Sequence, residues 1–193
     1  MRAARFARTV GGVAVVAPAL HLLSDVMEWR QQGFNDVQLW INLIAFLPMP
    51  FLLAGLIAWQ GNRKGRIGWL GAGLYGAAFI YFLYTTILAI SARIPTYEQL
   101  WAELGWHYTL AGSAMVLGGL LFAWSAWRAN RFPRMAVALF LAGILTNLAI
   151  ALLPVPDILQ VLGSALRNIG LMVMGVAILF DQPPASGVQE EHE

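Results

Sequence analysis

Cysteine is absent, which excludes disulfides, thiolate metal sites and cysteine nucleophiles. Charge is also scarce, at 11% of the 193 residues, where a soluble domain carries roughly a quarter. A water-facing surface cannot be made from that inventory. Named reaction motifs are missing as well: there is no HExxH pair, serine elbow, P-loop or dinucleotide fingerprint. What is abundant is apolar length. Hydrophobic residues make up 59% of the chain, in runs of about 20 that can each cross a hydrocarbon core of roughly 30 Å.

Six such runs are legible, at 9–27, 37–59, 67–90, 106–127, 135–153 and 158–180. The expectation is an all-α membrane protein: a single six-helix transmembrane bundle over residues 1–180, followed by a disordered acidic tail at 181–193. Basic residues alternate between the connections. Arg2, Arg5, Arg8, Arg63, Lys64, Arg66, Arg128, Arg131 and Arg134 fall on one side, and Arg30 and Arg93 on the other. Nine against two predicts both termini in the cytoplasm. Compactness and short loops give the look of a bacterial inner-membrane protein. The opening arginines and Ala17-Pro18-Ala19 also fit a cleaved signal peptide, but the apolar run continues past that site.

The outer connections carry helix-start chemistry. Asn35 with Gln38, Thr96 with Gln99, and Asp157 with Gln160 have the spacing of an N-cap and the third helical residue. After Thr96, the residues Tyr97, Leu100, Trp101 and Leu104 share one face before Gly105, which predicts a short interfacial helix between the third and fourth spans. Ala58-Trp59-x-x-Asn62-Arg63-x-x-Arg66 returns as Ala126-Trp127-x-x-Asn130-Arg131-x-x-Arg134. Two readings fit this echo: spans two and three duplicate spans four and five, or interfacial tryptophans and cytoplasmic arginines have converged. Pro18, Pro48 and Pro50 predict kinks, and the pairs Gly73–Ala77 and Ala114–Gly118 predict close helix contacts.

Ionisable groups within a span cost several kcal/mol unless paired or hydrated, so the few present stand out. His21, Asp25 and Glu28 form a stripe on the first span, and Gln160, Ser164 and Arg167 a second on the sixth, with Asn168 beside it. From the outer surface, Arg167 lies roughly 14 Å deep, His21 roughly 12 Å and Asp25 roughly 6 Å. The two stripes are therefore expected to meet inside the bundle, with Asp25 and Arg167 within reach of each other. His107, Tyr108, Tyr84, Thr85, Thr86, Asn42 and Asn147 also fall in the outer half. The asymmetry predicts a polar pocket open outwards above an apolar floor.

The ligand-binding candidates are His21, Asp25, Glu28, His107, Arg167 and Asn168, under an aromatic rim of Trp29, Trp40, Trp101 and Trp106. A small amphiphilic or lipid-like ligand suits that mixture of donors and acceptors. The alternatives are acid–base or metal chemistry on a lipid-like substrate, and an interhelical latch without a ligand. His21, Asp25, Glu28 and His107 would be the ligand set for a divalent metal, and His21 with His107 the axial pair for a single haem. No metal site is assigned, because no motif supports one, and the cofactor stays open. A proton-coupled carrier lacks a visible inner half to its pathway. The partners expected are the bilayer and a lipid-like small molecule, not nucleic acid, and a homo-oligomer stays open.

Overall fold

The computed structural model describes residues 2–61, 65–152 and 158–180. Eight helices follow in order: α1 (Arg2–Gln31), α2 (Asp36–Phe46), α3 (Met49–Trp59), α4 (Arg66–Ala92), α5 (Tyr97–Leu104), α6 (Trp106–Ala129), α7 (Arg134–Leu152) and α8 (Ile158–Phe180). No strand occurs among the described residues. Five helical stretches are long and apolar enough to cross a membrane: Ala4–Gln31, Asp36–Trp59, Arg66–Ala92, Trp106–Ala129 and Ile158–Phe180. In length and composition they are compatible with an all-α membrane bundle. The expected fifth span corresponds to α7, whose apolar part, Arg134–Ile150, is shorter than the other five. At 1.5 Å per residue that part covers roughly 26 Å, just under a typical hydrocarbon core.

Proline acts differently in the first two spans. Pro18 sits inside a continuous α1. Pro48 and Pro50 do more than the expected kink: they divide the second span into α2 and α3. Pro48 caps α3, and Pro50 lies in its first turn, where a missing N–H costs no helical hydrogen bond. The Leu47 N–H still reaches the Leu43 carbonyl at 3.1 Å, so the break is confined to the Leu47–Pro48 step. There the Pro50 carbonyl rests on α4 so closely that a Cβ on Gly76 would come within 2.5 Å of it.

The dominant helix contacts are α4 with α6, α1 with α8, and α7 with α8. All three run antiparallel, and glycine sets their spacing. A Cβ on Gly71 would meet the Phe122 backbone nitrogen at 2.6 Å, and one on Gly118 would meet that of Tyr75 at 2.6 Å. This pair brings α4 and α6 together, as Gly143 and Gly170 do for α7 and α8. The expected pair on α4, Gly73 with Ala77, instead faces outward, and open space surrounds a Cβ at Gly73. Period alone put the contact on the wrong face of an all-round apolar helix. Inside, Phe46, Phe79 and Phe82 pack edge to face or tilted, and Tyr75 links them to Phe140 and Phe122.

Two of the three expected caps fall within the described residues, and both form. Asn35 Oδ1 accepts from the Gln38 N–H at 2.7 Å, and Thr96 Oγ1 from the Gln99 N–H at 3.4 Å. Short helix α5 buries Leu100 and Leu104, leaves Trp101 exposed, and stops at Gly105, where φ is 56°. The expected Asp157 cap, Arg63 and Lys64, and the acidic tail lie outside the described residues. So does Asn62, whose counterpart in the sequence echo, Asn130, ends α6 in the left-handed conformation at φ 50°. The ends of the bundle differ in charge. Asp25, Glu28, Asp36, Glu98 and Glu103, the described acidic residues, belong with Arg30 and Arg93 to the end carrying α5, whereas Arg5, Arg8, Arg66, Arg128, Arg131 and Arg134 belong to the other.

Candidate functional site

The contact of α1 with α8 brings the two polar stripes together, and their meeting point is Ser164. Its hydroxyl donates to Asp25 Oδ2 and accepts from Arg167 Nη2 at 3.3 Å and Asn168 Nδ2 at 3.1 Å. The i, i+3, i+4 spacing of Ser164, Arg167 and Asn168 makes the hub possible, since all three rise from one face of α8. On α1, one helical turn separates His21 from Asp25, and His21 Nε2 lies 3.5 Å from Asp25 Oδ1. The sequence implied that Asp25 and Arg167 could touch. They are instead joined through the Ser164 hydroxyl, and the guanidinium extends towards α6, with Nη1 3.6 Å from Met115 Sδ.

This centre is closely packed: Arg167 is 4% exposed and Asn168 0%. His21 sits edge-on to Phe46, with ring centroids 4.6 Å apart, and to Phe79 at 6.1 Å. Several buried polar atoms nevertheless have no hydrogen-bond partner: His21 Nδ1, Arg167 Nε, Asn168 Oδ1, Tyr75 OH and Asn42 Oδ1. Such atoms are uncommon in native interiors, because each forgoes hydrogen bonding that water would supply. Together they present three donors or mixed groups and two carbonyl acceptors, held in fixed directions by packed helices.

Glu28 lies one turn above Asp25, half-buried and within electrostatic reach of Tyr97 on α5. Burial pushes the Tyr97 phenol up to about 12; a hydrogen bond with Tyr108 works against the rise, and the Glu28 charge adds to it. Tyr97, Tyr108 and Trp101 thus form an aromatic cluster beside Glu28, with ring centroids 5.5 to 6.1 Å apart. Trp29, Trp40, Trp101 and Trp106 are all exposed, as an interfacial rim requires.

His107 does not join the centre. It is exposed, stacks on Trp106 at 4.1 Å, and contacts the Leu104 carbonyl at 3.3 Å through Nδ1. The proposed set of His21, Asp25, Glu28 and His107 does not converge, and among the described residues no three histidine or acidic side chains come together to hold a metal ion. The haem arrangement fails on the same geometry, with His21 enclosed by phenylalanines and His107 on the surface. Gln160 is exposed too, above the hub on α8.

Two polar features went unread in the sequence. Ser24 and Gln38 form a buried bridge between α1 and α2: Gln38 Nε2 donates to Ser24 Oγ at 2.8 Å, and that hydroxyl approaches the Gln38 carbonyl at 3.4 Å. Ser24 has the right spacing from His21 and Glu28 to belong to the α1 stripe, so the signal was present. Gln38 was masked by its second role as the residue whose N–H receives the Asn35 cap. Met115 gave no signal, since a thioether in an apolar helix is indistinguishable from packing.

The basic end of the bundle opens into clefts of about 530 and 420 Å³. The larger is lined by Trp59, Asn130, Arg131, Phe132, Pro133, Ala177 and Phe180. No protein-family model matches this chain, and neither does any curated protein or solved structure.

Proposed function

We propose that the protein is a six-span inner-membrane protein with both termini in the cytoplasm, and that its α1–α8 polar centre holds the polar end of a small amphiphilic ligand. The observation that carries this reading is the group of unpartnered polar atoms around Arg167: the guanidinium Nε, His21 Nδ1, Asn168 Oδ1 and the Tyr75 hydroxyl. A head group with both acceptors and donors would complete them. Glu28 and the Tyr97–Tyr108 pair stand on the route from the outer surface, at the depth where amphiphiles partition. The candidate set therefore contracts to His21, Asp25, Glu28, Arg167 and Asn168, with His107 at the rim.

The Ser164 hub favours a second reading, in which the same groups are a latch between α1 and α8. Mass spectrometry of the detergent-purified protein separates the two. The binding reading predicts a small amphiphile retained in near-stoichiometric amount, whereas a protein free of any such molecule leaves the latch alone.

A further inference from the structure

The Arg167 guanidinium is buried, yet only two of its N–H groups find an acceptor. Nη2 donates to the Ser164 hydroxyl, Nη1 meets the Met115 thioether at 3.6 Å, and Nε has no partner. A thioether is a weak acceptor on an unbranched side chain with several rotatable bonds. Met115 therefore stands where a better acceptor would bond more strongly, and it can swing aside without moving its helix.

Charge decides what that acceptor can be. Asp25 lies across the Ser164 hydroxyl from Arg167, and Glu28 one helical turn above Asp25, so carboxylates are already at hand. An anionic head group would place a third acidic group beside them, where low polarity strengthens repulsion. A cationic head offers no acceptor to Nε or Nη1 and is repelled by Arg167. An uncharged carbonyl oxygen serves either N–H without those costs. The neighbouring unpartnered atoms add a second requirement. Asn168 Oδ1 only accepts, whereas the Tyr75 hydroxyl, within electrostatic reach of Arg167, donates or accepts; both residues are fully buried. A head group that also carries a hydroxyl matches this pair.

We infer that the ligand of the polar centre is an uncharged lipid whose head bears a carbonyl and a hydroxyl, of the monoacylglycerol class, and that its carbonyl displaces Met115 from Arg167. The inference rests on the amphiphile reading proposed above and narrows it to one head-group chemistry. Tyr75 comes from α4 and Met115 from α6, so the groups around Arg167 are drawn from more than the two helices of the hub. A latch between α1 and α8 has no use for the α4 hydroxyl or the α6 thioether.

The test adds monoolein, oleate or oleylamine, which share one unsaturated chain and differ in head-group charge, to the full chain in a zwitterionic detergent. Bound molecules are counted by native mass spectrometry. Wild-type protein is expected to retain monoolein over the acid and the amine. Tyr75→Phe should weaken that retention about five-fold, the equivalent of about 1 kcal/mol for one neutral hydrogen bond. The same variant should not lower the unfolding temperature, because the hydroxyl it removes has no partner within the protein. Met115→Ala should strengthen retention several-fold, since no thioether then competes for Nη1. Gly73→Ala, on the outer face of α4, should bind as wild type does. Preferential retention of oleate or oleylamine overturns the head-group assignment and leaves the amphiphile reading standing. Equal retention of all three, or unchanged monoolein retention in both Tyr75→Phe and Met115→Ala, overturns it too. Retention of none overturns it as well, and takes the amphiphile reading with it when the protein also purifies free of any amphiphile.

Discussion

Ser164 carries more of the polar centre than its size suggests, because one hydroxyl satisfies a carboxylate, a guanidinium and an amide at once. Ser164→Ala leaves Asp25 and Arg167 without the bridge, and should cost about 1.5–3 kcal/mol, the range for hydrogen bonds to charged groups. Arg167→Leu removes the guanidinium that the Ser164 hydroxyl couples to Asp25, for an expected cost of about 3–5 kcal/mol. Thermal unfolding in detergent should rank the two in that order; an Arg167→Leu protein as stable as wild type would mean that Asp25 does not depend on it. Tyr97 gives a pH signature. Its folded-state pKa of about 12 exceeds the unfolded value near 10, so its contribution to stability is complete below about pH 10 and is lost as pH rises towards 12. Wild-type protein should therefore lose stability across that window more steeply than Tyr97→Phe, and parallel curves would refute the burial of this phenol. The charged members of the centre were legible in the sequence because each violates the composition of its span. Ser164 as a hub was not, since a serine is tolerated in membrane helices and only its partners reveal its role.

At the scale of helices, close approach is decided by which glycines face a neighbour. Gly71→Ala drives a methyl into the backbone of α6 at Phe122, atoms that cannot move aside, and overpacking of this kind costs about 1–3 kcal/mol. Gly73→Ala, two residues away, meets nothing and should be neutral or stabilise by about 0.5–1 kcal/mol through helix propensity. Opposite shifts of the unfolding temperature are the expected result, and the same sign for both would contradict the α4–α6 packing. Helix existence and most boundaries could be read from hydropathy, and the caps at Asn35 and Thr96 from residue type. The facing surfaces could not, because α4 and α6 are apolar all round and their periodicity points nowhere. The division of the second span at Leu47–Pro48 was visible only as two prolines; whether they kink or separate the helix depends on the seat that Gly76 offers to the Pro50 carbonyl.

For the whole molecule, the described acidic side chains all belong to the end carrying α5, alongside Arg30 and Arg93, and Arg5, Arg8, Arg66, Arg128, Arg131 and Arg134 belong to the other, which gives an axis with the polar centre towards the acidic end. Absence of cysteine makes the proposed orientation directly accessible: Glu98→Cys should react with an impermeant thiol reagent in intact cells and Arg63→Cys should not, and the reverse would invert the topology. The central claim is that the α1–α8 centre binds a ligand, beyond holding two helices together, and the sharpest test compares wild type with Glu28→Gln. Glu28 takes no part in the Ser164 hub, so its substitution leaves the latch intact. Mass spectrometry of amphiphiles retained through purification, read beside the unfolding temperature of the same samples, is expected to show near-stoichiometric ligand in wild type and a several-fold loss in Glu28→Gln at unchanged stability. Identical ligand content in the two proteins, or none in either, would contradict it.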